Sequence, residues 1–216
     1  MVRSDIITEV ETRTKRTDKS TRIGELLNTV LKMMSSAIDP VDGTPMPFSY
    51  LKTEQEYSIS SGDYYKSLPS DFVFLYGTPE FRYNTDKGYP MEKKSYNELR
   101  AIYPNLANDT DTGRPYHFAI DGGTFYFGPK SDDSYTIVFP YTKLHPSVSS
   151  DSDTILFPDN FKDCIAEGIA SLLFKDLDMF ERAEYHKGEW LKQLIALWKI
   201  DRRNENSVLI TDYNDI

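Results

Sequence analysis

The run Phe118-Ala119-Ile120-Asp121-Gly122-Gly123-Thr124-Phe125-Tyr126-Phe127 leaves this chain little choice of local structure. Aromatic and β-branched residues suit a pleated, half-buried surface. A Gly-Gly pair between two such runs supplies the positive φ angles of a tight two-residue turn. The spacing therefore predicts a β-hairpin turning at Gly122-Gly123. Pro129 and the polar run Lys130-Ser131-Asp132-Asp133 end its second strand, and Tyr135 to Tyr141 reads as a third. The stretch from Gly113 to Pro146 is thus a β unit, and it carries no evident catalytic group.

On both sides the hydrophobic period becomes helical. Ser4 to Arg16 reads as a helix with a narrow stripe of Ile6, Ile7 and Val10, followed by the polar connector 15–20. Thr21 is a candidate N-cap for a second helix. There Ile23, Leu26, Leu27, Val30, Leu31 and Met34 recur at spacings of three and four. Pro40, Gly43, Pro45 and Pro47 forbid its continuation. Extended patterns follow at Phe48 to Leu51, Glu56 to Ser60, Phe72 to Tyr76 and, beyond Pro79, Phe81 to Tyr83. Ser95 and Glu98 have the spacing of a capping box and open a short helix, Tyr96 to Ile102, which Pro104 ends.

Beyond Pro146, a linker rich in serine and aspartate, 147–153, leads to a helix starting at Asp159 or Asn160. Its residues Phe161, Cys164, Ile165, Gly168, Ile169, Leu172 and Leu173 share one face. Asp178 with Glu181 makes a second cap, and a final helix runs from about Met179 to Arg203, ended by Asn204-Glu205-Asn206. Val208, Leu209, Ile210, Tyr213 and Ile216 in the tail follow no helical pattern. Two readings fit them: an arm that docks on another subunit, or a strand added to the chain's own sheet. The expected fold class is α+β. Helices in 1–40 and 151–206 pack together as a bundle, the inserted antiparallel β-rich domain, 41–150, sandwich- or barrel-like with one short helix, forms a separate layer, and 207–216 forms an extended C-terminal arm.

Composition narrows the function. The chain has 216 residues, 39% of them hydrophobic and 13% aromatic, enough for a real core. A formal net charge of −9 argues against adhesion to nucleic acid, and it does not exclude passing near DNA without sticking, since a negative wall repels phosphate. One cysteine, Cys164, allows no intrachain disulfide, and its apolar helical setting reads as core. No apolar run has signal-peptide or membrane-spanning length, so synthesis and assembly in a reducing cytosol are expected. His117, His145 and His186 have no ligand partner in register, so no metal site and no cofactor are expected. Asp109, Asp111 and Gly113 depart from the calcium-loop order and read as a solvated turn. Asp151 and Asp153 lie in a linker before a helix, where acidic residues favour the helix dipole rather than paired-carboxylate chemistry. No phosphate-binding glycine loop or nucleophile elbow is present. Phe118, Phe125, Phe127, Tyr135 and Phe139 read mainly as core.

The order of segments resembles the head-to-tail adaptor (head completion or connector) proteins of short-tailed bacteriophages. The resemblance is carried by Ile23-Gly24-Glu25-Leu26-Leu27-Asn28, Leu68-Pro69-Ser70-Asp71-Phe72, Tyr103-Pro104, Gly113 to Pro129, Tyr135 to Tyr141, Asp151 to Pro158, and the helix Phe161 to Phe174. It implies a non-enzymatic virion protein of the neck. Such a protein forms a ring, usually of twelve copies, beneath the portal, extends the DNA channel and gives the tail nozzle and fibres a platform. It also implies a C-terminal arm reaching the portal, here Val208, Leu209, Ile210, Tyr213 and Ile216. Met1 to Lys19 does not match the commoner pattern. The alternative reading is a sugar- or receptor-binding β-module on a helical base.

Overall fold

A helix with the stripe Ile23, Leu27, Val30, Leu31 and Met34 must bury a broad apolar face, so it needs partners on several sides. The computed structural model describes residues 1–83, 88–107 and 112–211, with 205–211 described by their backbone alone. Its elements in chain order are α1 (Arg3–Thr14), α2 (Ser20–Ser35), β1 (Lys52–Ile59), β2 (Tyr65–Ser67), β3 (Phe72–Leu75), β4 (Glu80–Arg82), β5 (Tyr89–Pro90), β6 (Glu92–Lys93), α3 (Tyr96–Ile102), β7 (Thr112–Gly113), β8 (His117–Asp121), β9 (Thr124–Gly128), β10 (Lys130–Ser131), β11 (Tyr135–Lys143), α4 (Lys162–Asp176) and α5 (Phe180–Thr211). The fold is α+β. It divides into two compact units, Met1–Leu51 with Leu144–Ile216, and Lys52–Lys143.

In the helical unit α4 packs against α1, α2 and α5. Ile6, Val10, Leu27, Leu31, Met34, Ile165, Ile169, Trp190 and Leu194 share one buried core. The expected strand at Phe48 to Leu51 is instead a loop ending in a 3₁₀ turn, Ser49–Leu51. Its apolar residues serve this core: Phe48 packs edge-on against Phe157 and Phe161, at centroid distances of 5.5 and 5.4 Å. Asp201 on α5 holds the turn, accepting from Ser49 N (2.7 Å) and Ser49 Oγ (2.5 Å). The 147–153 linker also docks: the Asn28 side-chain amide exchanges two hydrogen bonds with the Val148 backbone, at 2.8 and 3.0 Å.

Helix starts differ from expectation in instructive ways. Lys19, not Thr21, precedes the first residue of α2, because a 3₁₀ turn, Thr17–Lys19, runs straight into it. Asp178 does not cap α5. It adopts a left-handed φ of 56° and closes α4, its amide donating to Lys175 O at 3.1 Å. At the far end the α5 backbone stays helical to Thr211, past the stop expected at Asn204 to Asn206 and through the start of the expected extended arm. The side chains of Val208, Leu209 and Ile210, and Tyr213 and Ile216 entirely, lie outside the described residues.

In the β unit, β11 is the central strand. It pairs antiparallel with β1 along one edge and with β3 and β4 along the other. A second sheet has the order β2-β9-β8-β6, and β10 pairs with β7 as a short parallel ribbon. The predicted hairpin is β8–β9, with Asp121 opposite Thr124, and Gly122 and Gly123 at φ 53° and 78°. Phe118, Phe125, Phe127, Tyr135 and Phe139 are all buried. The two larger sheets contribute to one aromatic core, with Phe125 and Phe139 4.9 Å apart between centroids. The 113–146 stretch is therefore split: its hairpin lies in one sheet and its third strand in the other. No barrel forms. Among the described residues, β5 and β6 are two-residue edge strands, and no ladder joins the ends of the sheets.

Candidate functional site

The histidines expected to hold no metal are engaged in structural contacts. The His117 ring lies 2.9 Å from the Tyr103 hydroxyl through Nδ1 and 3.2 Å from Glu92 through Nε2, tying the end of α3 to β8 and β6. Burial first, then the Tyr116 hydroxyl, pushes the Tyr103 phenol well up, so it stays protonated. His145 is buried. The Leu156 amide donates to its Nε2 at 2.8 Å, which leaves the proton on Nδ1 to donate to Pro146 O at 2.7 Å. His186 lies 2.5 Å from Glu167, whose other oxygen takes a bond from Arg13. Arg13 also reaches Glu9 (2.8 Å) and Asp163 (2.9 Å) and so ties α1 to α4. Among the described residues no three His, Cys, Asp or Glu side chains converge to hold a metal.

The other candidates resolve in the same direction. Burial pushes the Cys164 thiol up to about 12, leaving no thiolate for nucleophilic work. Asp151 pairs with Arg3. Asp153 accepts from the amides of Ser149 (2.7 Å) and Ser150 (2.8 Å), and these bonds hold its carboxyl below the ordinary value. The carbonyls of Asp153 and Asp151 accept from Arg3 N and Ser4 N, so this linker serves the start of α1 rather than the dipole of α4. Asp109 and Asp111 lie outside the described residues, and Gly113 pairs with Ser131.

Two concave surfaces carry more information. In the helical unit a groove of about 240 Å³ is lined by Val30, Met33, Leu172, Phe180 and Trp190. Its floor exists because Gly168 has no side chain. A Cβ there would meet Val30 Cγ1 at 2.9 Å and the Trp190 indole nitrogen at 3.1 Å. Met33 and Phe180 are exposed, whereas Trp190 is buried and its Nε1 has no hydrogen-bond partner among the described residues. In the β unit a cleft of about 380 Å³ is lined by Tyr64, Tyr96, Tyr103 and Tyr126, with Arg100 among them. Tyr96 and Tyr126 lie 4.7 Å apart between centroids, and the Arg100 guanidinium sits 5.9 Å over Tyr96. Sequence reasoning missed both surfaces. Phe180 and Trp190 counted as one apolar stripe, and of the four tyrosines only Tyr96 and Tyr103 share an element, the two ends of α3, while Tyr64 and Tyr126 come from elsewhere in the chain. Among the described residues neither surface presents an activated nucleophile or a carboxylate pair, and both suit contact with another macromolecule.

Comparison with known proteins adds the decisive observation. No curated protein matches the chain. A family model described as SU10 adaptor protein matches residues 2–211.

Proposed function

Because the chain belongs to the SU10 adaptor protein family and is a phage adaptor protein, we propose that it is the head-to-tail adaptor of its virion. In this reading twelve copies form a ring beneath the portal, extend the DNA channel and carry the tail nozzle and fibres. The ring is assembled in the host cytoplasm, and the C-terminal residues Val208, Leu209, Ile210, Tyr213 and Ile216 reach the portal.

The observation that carries the reading is the extent of the family match, which spans both compact units rather than one. Two others support it. The net charge of −9 suits a lumen that repels phosphate and lets DNA pass unbound. The polar clusters of the helical unit bind elements to one another, as a scaffold requires. Among the described residues no helix is long and apolar enough to cross a membrane.

Native mass spectrometry of the full chain mixed with its purified portal tests the proposal. A complex with twelve adaptor copies per portal ring is expected. A chain that stays monomeric with the portal present would overturn it.

The tyrosine cleft favours a second reading, a sugar- or receptor-binding β-module, because aromatic faces stack on sugar rings. A glycan-array signal abolished by Tyr96→Ala or Tyr126→Ala would support it, and the absence of any signal from the wild-type chain would remove it.

A further inference from the structure

We propose that the turn after α2 in one copy seats Val41 in the α2–α4–α5 groove of a second copy. The inference rests on the ring reading above and names a contact within that ring.

The turn is built to present an apolar tip. Val41 is 90% exposed and Ile38 58% exposed. Backbone bonds close the turn, Asp39 N to Thr44 O (2.8 Å) and Gly43 N to Asp39 O (2.9 Å). Side chains lock it further. Asp39 Oδ1 accepts from Val41 N (2.8 Å), and Asp42 Oδ1 accepts from Thr44 N (2.9 Å) and Thr44 Oγ1 (2.7 Å). A tip already held in one geometry loses little conformational freedom when it is buried.

The groove supplies the matching features. Val30, Met33, Leu172, Phe180 and Trp190 give it an apolar wall, of which Met33 and Phe180 stand exposed. Charge also matches. Asp39 and Asp42 flank Val41 on the turn, and the charged residues that line the groove are Lys175 and Lys187 with one carboxylate, Glu184, so the groove is net positive. Among the described residues Lys175 has no ion pair. Lys187 has only a 3.5 Å contact with Glu184, between exposed side chains that can exchange partners.

Val41 does not occupy the groove of its own chain, since it stands in solvent. Tip and groove are different surfaces of one helical unit, so the contact they make is head-to-tail. Such contacts repeat and close into a ring when the rotation allows it. One valine in a groove of this size is an anchor. A stable interface buries on the order of 1,600 Å² in total, so flanking contacts must add to it.

The test mixes full-length Val41→Cys chains with full-length Phe180→Cys chains, oxidises them and identifies the linked peptides by mass spectrometry. Cys164 is buried and stays out of the exchange. A second arm follows self-association of Val41→Asp by sedimentation velocity, alone and on the portal, with the melting temperature as a folding control. The expected result is a disulfide between the two introduced thiols that joins one chain to the other. Association should also weaken about tenfold or more when a carboxylate is placed in an apolar groove. Association unchanged in Val41→Asp and no such link would overturn this contact and leave the ring standing. A wild-type chain that never associates, alone or on the portal, would overturn both.

Discussion

Asp201 shows how much one buried residue can carry. It is 4% exposed, and it accepts from the backbone amide and the hydroxyl of Ser49. Asp201→Ala would leave the Ser49 amide without its acceptor, at a cost of about 2 kcal/mol. Asp201→Asn keeps one acceptor oxygen and should cost less. Urea unfolding of both variants checks the order, and equal stabilities would contradict it. Asp153 tests electrostatics at the same scale. Its carboxyl is held below the ordinary 3.8, first by the amides of Ser149 and Ser150. A carboxyl with a lowered folded pKa adds stability above its unfolded value and loses it as pH falls through the folded one. The Arg13 hydrogen bond lowers Glu9 in the same sense. Stability should therefore fall on the acid side, below the ordinary carboxylate values. Carboxyl ¹³C titration of Asp153 should give a midpoint under 3.8, and a midpoint above that would refute the assignment.

Among the elements, the β8–β9 hairpin is the most locally specified. Gly122 and Gly123 both sit at positive φ, where a Cβ crowds the following carbonyl. Gly122→Val should destabilise the protein by about 1–2 kcal/mol, and Gly122→Asn by less, since Asn tolerates this region. Thermal unfolding of the two variants distinguishes them, and a Val variant as stable as wild type would exclude the turn geometry. Helix α3 is specified almost as tightly: Ser95 Oγ accepts from Glu98 N at 3.2 Å and Glu98 accepts from Ser95 N at 2.8 Å, the reciprocal capping box its sequence announces. The start of α2 is specified less well, since the 3₁₀ turn Thr17–Lys19 begins the helix at Ser20, ahead of the cap its sequence offers at Thr21.

At the scale of the whole molecule, family membership makes the chain a phage adaptor, and the proposed ring turns that into a measurable expectation. Removing 207–216 should abolish co-sedimentation with the portal while leaving the thermal unfolding of the remainder nearly unchanged. Portal binding that survives the deletion at wild-type strength would remove the arm from the proposal.

The sequence alone was enough for the α+β class, the Gly122-Gly123 hairpin, the capping box at Ser95 and the amphipathic α2. Each depends on residues within one turn or one hydrophobic period, so short-range sterics and hydrogen bonding determine them. Tertiary structure decided the rest. It divided the 113–146 stretch between two sheets, because strand partners are chosen by burial across the core and not by proximity in the chain. It took Phe48 out of a strand and into the helical core, since an aromatic side chain follows the nearest apolar cavity. It also created the groove at Trp190 from Val30, Gly168 and Phe180, which stand far apart in sequence. No local pattern encodes a surface assembled from three helices, because its shape exists only once they have packed.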